Sequence, residues 1–196
     1  MLTIVASAFQ RHDTVHIIVN SFIVQTSPHW RLLIVNDGHD PKMREAVQRY
    51  LDRPSIEYHE IDRPEGRPRF GHEARNYGLS LAQSPYVLMT SHDNYYVPTF
   101  VEEIEQAAAR TNADLILFDM IHNYFQYDTK RFLRQKLQPA AIDMGGFVVK
   151  TELAKSVGGI TQVENFCGDW EFINALVLAN KELRCEWIER CLYVHN

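Results

Sequence analysis

Hydrophobic positions along the chain follow two periods in alternation. Leu2 to Phe9 is a continuous apolar run with β-branched members, the signature of a buried strand. Asp13 or Thr14 can cap the helix that follows, whose Val15, Ile18, Val19, Phe22 and Ile23 share one face. Trp30 to Val35 predicts a second strand, closed by the turn residues Asn36-Asp37-Gly38. A helix over Pro41 to Leu51, a short strand over Ser55 to His59 and a helix over Gly71 to Gln83 continue the series. Strand and helix joined by short connections predict a parallel sheet with right-handed crossovers.

The apolar run from Tyr86 stops at the polar cluster Ser91-His92-Asp93-Asn94, and Pro98 then opens a helix with Phe100, Val101 and Ile104 facing inward. These polar groups therefore sit at the carboxyl end of a buried strand, where open α/β sheets bind ligands, unless they only cap the strand. Ala113 to Met120 is another strand, whereas Tyr124 to Lys136 mixes aromatic and basic residues with no period that fixes its fold. Ile142 to Lys150 reads as a strand containing Gly145-Gly146, a pair that implies close approach of another backbone or a ligand. A short helix over Thr151 to Val157 and a longer one over Asp169 to Asn180 precede a last strand, Leu183 to Val194, that delivers His195.

Composition narrows the class. The 196 residues suit a single domain, and 45% hydrophobic with 23% charged residues is enough to bury a core. A net charge of −5 argues against a nucleic-acid partner bound through a basic face. Cys167, Cys185 and Cys191 are odd in number, lack metal-ligand spacing and read as reduced structural thiols. With no apolar run of spanning length and no signal peptide, the expected location is cytoplasmic or peripheral to a membrane. One loop departs from the regular pattern: Ile61 to Phe70 gathers Arg63, Arg67 and Arg69 with two prolines and a glycine, which suits either an anionic ligand or a solvated connection.

Six motifs in register resemble the family 2 glycosyltransferases of the GT-A fold. They are Ala8-Phe9-Gln10-Arg11 after the first strand, Val35-Asn36-Asp37-Gly38, Gly71 with Ala74-Arg75-Asn76-Tyr77-Gly78-Leu79, Tyr86 to Pro98, Gly145-Gly146-Phe147 with Val157-Gly158-Gly159, and Gly168-Asp169-Trp170-Glu171. The resemblance implies an α/β GT-A domain over residues 1–196, a mostly parallel sheet flanked by helices. A nucleotide-binding part would cover about 1–97 and an acceptor-side part about 98–196. It further implies a nucleotide-sugar donor, expected to be a UDP-sugar, a carbohydrate or other hydroxyl acceptor, and Mn²⁺ or Mg²⁺. The oligomeric state stays open, as does the choice between a minimal enzyme and one domain of a longer protein.

The same resemblance distributes roles. Asp93 is the expected metal carboxylate and His195 a second candidate ligand, with His92 weaker, since oxygen-rich sites completed by substrate phosphates suit these ions. Where the family places a further acid, this chain has Ser91, open to a ribose or metal-water contact, and Asn94, open to the ligand shell or donor sugar. Ala8, Phe9 and Arg11 follow the first strand, Phe9 to pack on the base and Asn36 or Asp37 to read its edge. Arg75 is expected at the base or diphosphate, with Arg67 and Arg69 as helpers, or else in a surface salt bridge. Asp169 is the expected general base of an inverting transfer, or simply an N-cap, with Glu171 and Glu164 as fallbacks. Gly145, Gly146 and Trp170 are placed at the sugar and acceptor, Trp170 alternatively in the core. The competing reading is a degenerate domain that binds nucleotide or nucleotide sugar without turnover. A sugar-phosphate nucleotidyltransferase is disfavoured because no Gly-rich basic loop follows the first strand.

Overall fold

The structure is a computed structural model that describes residues 1–63, 70–124, 129–161 and 167–196. In chain order the first elements are β1 (Leu2–Ala8), α1 (Val15–Ile23), β2 (Trp30–Asp37), α2 (Pro41–Gln48), β3 (Ile56–Ile61), α3 (His72–Leu81) and β4 (Tyr86–Ser91). They are followed by β5 (Tyr95–Tyr96), α4 (Phe100–Thr111), β6 (Leu115–Tyr124), β7 (Thr129–Leu133), β8 (Phe147–Lys150), α5 (Thr151–Ser156), α6 (Gly168–Ala179) and β9 (Cys185–His195).

One nine-stranded sheet runs β3-β2-β1-β4-β8-β6-β9-β5, with β7 added on β6. Its long ladders are parallel: β1 lies between β2 and β4, with Leu2 opposite Trp30 and Tyr86. The same register brings Ala8, Asp37 and Ser91 to one edge of the sheet. Strand order reverses between β1 and β4, which opens a crevice at that carboxyl edge.

Alternation along the strands builds two cores. Leu2, Ile4, Ala6 and Ala8 of β1 pack with Leu32, Ile34 and Leu88 under α1, α2 and α4. Val5, Leu33, Val35, Val87 and Met89 point the other way, under α3, α5 and α6. Phe22, Tyr96, Phe100 and Phe118 form an aromatic cluster in the first core, with Tyr96 and Phe100 centroids 4.7 Å apart.

The structure revises three expectations in the second part. Gly145 and Gly146 are not inside a strand; they belong to a single 3-10 turn, Met144–Gly146, and β8 starts only at Phe147. The aromatic and basic stretch after Met120 extends β6 to Tyr124 and returns as β7 in antiparallel register, Met120 opposite Leu133. β9 starts and ends later than the pattern predicts, at Cys185 and His195, and Tyr95–Tyr96 pairs with its last residues from the far side. Among the described residues no helix is long and apolar enough to cross a membrane.

Candidate active site

The loop after β1 departs from regular backbone first. Gln10 and Arg11 both adopt the left-handed region, with φ of 50° and 39°, a conformation costing about 1 kcal/mol or more for each side-chain-bearing residue. The result is that Phe9 and Arg11 stand over the crevice. Phe9, Ala8, Ser7, Asp37, Arg63, Arg11 and the Ser91–Asp93 segment enclose a cleft of about 360 Å³.

Two arginines organise this cleft. Arg63, from the cationic loop, lies with its guanidinium carbon 3.7 Å from the centre of the Phe9 ring and donates to Asp37 Oδ2 at 3.1 Å. Asp37 is 2% exposed, and its other oxygen, like the Asn36 side-chain oxygen, is buried with no hydrogen-bond partner among the described residues. Such orphaned acceptors are costly unless a ligand donates to them. Asn36 itself donates to the Gly38 carbonyl at 2.7 Å, so of the pair only Asp37 lines the cleft. Arg11 donates to Asp93 Oδ2 at 2.6 Å, engaging one oxygen of the carboxylate expected to hold a metal. Arg67, Arg69 and Glu164 lie outside the described residues.

His92 is a brace rather than a ligand in this arrangement. Its ring nitrogens lie 3.3 Å from the carbonyls of Ser7 and Arg11, burial lowers its pKa, and an N–H donated to either carbonyl braces the β1 loop against the end of β4. Asn94 donates to Thr90 Oγ1 at 3.0 Å and accepts from the Asn196 N–H at 3.3 Å. Asn196 also donates to the Asp93 carbonyl at 2.7 Å, so the end of β9 is tied directly to the Asp93 segment.

Arg75 is no surface ion pair. It is 7% exposed and donates to the Thr90 carbonyl, the Phe70 carbonyl at 2.7 Å and Ser91 Oγ at 2.9 Å. Burial lowers its pKa, an effect opposed by Asp169 and Asp143 nearby. Arg75 therefore holds the end of β4 in shape while placing positive charge behind it. The companion Asn76 clamps the Ile160 backbone through both amide atoms, at 2.8 and 2.9 Å.

Ser91 also borders a second, larger cavity of about 980 Å³, walled by Arg75, Asn94, Asp143, Asp169 and His195 on one side and by Phe132 to Gln135 of the β7 hairpin on the other. Asp169 sits in the first turn of α6, after Cys167 in the capping position, and is therefore not the N-cap. Its carboxylate accepts from the Met144 N–H, and burial together with the charge of Asp143 raises its pKa to about 6. Gly168, just before Asp169, sits where α6 meets α3. A Cβ there would lie 2.5 Å from His72 Nε2, so only glycine lets α6 start this close to α3.

Gly145 and Gly146 are filled against by protein. A Cβ on Gly145 would meet the Tyr193 hydroxyl at 2.6 Å, and one on Gly146 would meet Gln135 at 2.5 Å; only Gly145 borders the cavity. Trp170 packs half-buried against the second core and is not among the cavity-lining residues. Glu171 follows Asp169 in the same turn of α6 but does not line the cavity.

His195 lines the cavity with its Nδ1 2.9 Å from Asp143 Oδ2 and its ring stacked on His122, centroids 4.3 Å apart. Burial alone would lower its pKa, but the bond to Asp143 and the charges of Asp143, Asp93 and Asp169 raise it. Asp143, Arg63 and His122 carry no motif; Arg63 is legible only as part of a cationic loop.

Among the described residues no group of three or more His, Cys, Asp or Glu side chains could by itself hold a metal ion. Asp93 keeps one carboxylate oxygen beyond its bond to Arg11, and His195 keeps one ring nitrogen beyond its contact with Asp143; donors of these types suit a divalent ion only when further ligands come from outside the protein.

Comparisons with known proteins identify the family and the fold. The model of the family described as "Glycosyl transferase family 2" matches residues 3–157. A Haemophilus influenzae protein named "Uncharacterized glycosyltransferase" is 23% identical over 189 residues, covering 90% of this chain and 62% of its own length. The crystal structure of Staphylococcus aureus TarS 1–349 superposes with a TM-score of 0.80 at 15% identity, over 100% of this chain and 60% of TarS. The mannosyltransferase PcManGT from Pyrobaculum calidifontis, solved with GDP-Man and Mn²⁺, gives 0.73 at 16% identity, over 98% of this chain and 56% of its own. The fold is thus that of GT-A glycosyltransferases, and the chain spans about three-fifths of the length of these relatives.

Proposed function

The chain belongs to glycosyl transferase family 2, and from that premise we propose that it transfers a sugar from a nucleotide-diphosphate donor to a hydroxyl acceptor with inversion. The observation that carries this reading is the meeting of two cavities at Ser91: one cleft lined by Phe9, Asp37, Arg11 and Arg63, and one chamber with the Asp169 carboxylate on its wall.

The base stacks on Phe9 and offers an imino N–H to the orphaned Asp37 oxygen, a role that uracil fills with its N3–H. A UDP-sugar is therefore the expected donor, and TarS, solved with UDP-GlcNAc, is similar in fold. The diphosphate lies towards Arg11 and Asp93, and the sugar passes Ser91 into the larger cavity. Asp93 and His195 would hold Mn²⁺ or Mg²⁺, which when bound neutralises charge on the departing diphosphate. Asp169 takes the proton of the acceptor hydroxyl as its oxygen forms the new bond to the anomeric carbon. The bond to the diphosphate breaks on the opposite face, and its electron pair leaves with the phosphate oxygen. With a pKa of about 6, Asp169 is ionised at neutral pH yet more basic than an ordinary aspartate.

A second reading, nucleotide binding without turnover, draws on Ser91 in place of an acid and on the hold of Arg11 on Asp93. Titration of UDP in the presence of Mn²⁺, with and without the Phe9→Ala change, tests the donor site common to both. Binding weakened roughly tenfold in the variant, from loss of about 1–3 kcal/mol of stacking, is the expected result. Equal binding by the two proteins would place the nucleotide elsewhere.

A further inference from the structure

Asp143 is the most heavily bonded carboxylate of the larger cavity and belongs to none of the motifs. Its Oδ1 accepts from the Gly145 N–H at 2.8 Å and from the Tyr193 hydroxyl at 3.1 Å, while its Oδ2 faces His195 Nδ1 at 2.9 Å. A carboxylate has no proton to give, so the imidazole nitrogen that meets it carries the hydrogen. The far nitrogen, Nε2, has no hydrogen-bond partner among the described residues and keeps its lone pair. The ring is held in this orientation by His122, stacked at 4.3 Å and 23°. Asn196 places the whole group beside Asp93 through its bond to the Asp93 carbonyl.

We propose that Asp143 is a positioning residue that fixes His195 as the Nδ1–H tautomer, presenting a bare Nε2 to a divalent cation shared with Asp93 and the substrate diphosphate. The proposal rests on the metal reading given above for His195 and adds the residue that makes that nitrogen available. Carboxylates that orient a ligating imidazole typically change metal affinity about 10–100-fold when removed.

The chemistry of one isosteric change makes the idea testable. In Asp143→Asn the amide oxygen must take the Oδ1 position, because the main-chain N–H of Gly145 can only donate. The amide N–H₂ then faces His195 Nδ1 and donates to it, which moves the ring proton to Nε2. A protonated Nε2 has no lone pair for a metal, although shape and packing are unchanged.

The experiment is titration of Mn²⁺ in the presence of UDP, followed by electron paramagnetic resonance of the free ion, on the wild type, Asp143→Asn, His195→Ala and the double variant. The expected result is a loss of affinity of about 10–100-fold in each single variant, with the double variant no worse than His195→Ala. Wild-type affinity in Asp143→Asn alongside weakened binding in His195→Ala would overturn the positioning role and leave the metal reading intact. Wild-type affinity in His195→Ala, or no Mn²⁺ binding by the wild type, would overturn both. A second measurement does not depend on any variant folding: ¹⁵N shifts of the His195 ring, taken on the wild type at a pH where the ring is neutral. A protonated Nδ1 and bare Nε2 support the proposal, and the opposite tautomer overturns it.

Discussion

Asp169 illustrates how one side chain carries cost and use together. Burial and the neighbouring Asp143 disfavour its charged form, so its ionisation near pH 6 opposes folding while supplying a stronger base. Because the folded pKa lies above the ordinary value near 3.8, the protonated carboxyl favours the native state at low pH, and that advantage is lost as pH rises through about 6. Asp169→Asn is therefore expected to lower kcat at least about 100-fold, as removal of a general base does. The same variant should be more stable than the wild type by about 1–3 kcal/mol at pH 7.5 and no different at pH 4, as read by denaturant titration. For the wild type, kcat/KM should fall on the acid side with a midpoint near 6. An acid limb unchanged in position when Asp143 is neutralised would show that another group titrates there. Of the individual site residues, Asp37, Asp93 and Asp169 were legible because short motifs place them at strand ends and a helix start. Asp143 was not, since its meaning depends on His195, 52 residues away.

The elements show why some motif residues are scaffold. Gly168 marks the point where α6 meets His72 of α3, and Gly168→Ala would force these helices apart at the base of Asp169. A drop in transfer of about tenfold or more, with stability falling by about 1–3 kcal/mol, is expected, since a displaced catalytic group loses its near-attack geometry. Unaltered transfer kinetics would mean that α6 does not set the position of Asp169.

The starts of β6 and β9 and the end of β8 are joined in a comparable way by Asp114, which accepts from Lys150 at 2.9 Å and from Arg184 at 3.1 Å. Burial alone would raise its pKa, but these two cations and the Arg184 N–H hold it well below the usual carboxylate range. Its contribution is thus present above about pH 4 and fades as pH falls further. Asp114→Ala should cost about 1–3 kcal/mol in a denaturant titration at pH 7, because a buried carboxylate that accepts charge-assisted bonds from Lys150 and from the Arg184 main-chain N–H is lost. A loss under about 1 kcal/mol would show that the cations find solvent instead. Strand and helix periods revealed β1, β2 and β4 clearly, since these strands are buried along most of their length, whereas the edge strand β3 is only half-buried and its bounds differ by one or two residues from the pattern. The β6–β7 hairpin and the short β5 escaped because their pairing, not their composition, defines them.

For the molecule as a whole, the order of parallel strands places the two cavities on a common edge, and the return of β9 closes that edge by docking Asn196 on Asp93 and Asn94. One crossing links the two parts of the chain that the resemblance distinguishes: Asn196, just past the last strand, bonds the Asp93 segment. Family resemblance suggested such a return at the neighbouring residue, His195. Arg11 and Arg63 add a feature of the intact cleft, since each cation already sits on the carboxylate that a ligand needs. Arg11→Ala should tighten Mn²⁺ binding measured without nucleotide, because the cation would no longer compete for Asp93.

The central claim is that the paired cavities turn over a nucleotide sugar rather than merely hold it. Release of nucleoside diphosphate from a panel of nucleotide sugars, measured with Mn²⁺ or Mg²⁺ for the wild type, Asp93→Ala and a surface control such as Lys181→Ala, tests it most directly. Metal-stimulated release, with UDP-sugars preferred, is expected to be retained in the control and lost in Asp93→Ala. Tight nucleotide binding with no release from any donor, or release indifferent to Asp93, would contradict it.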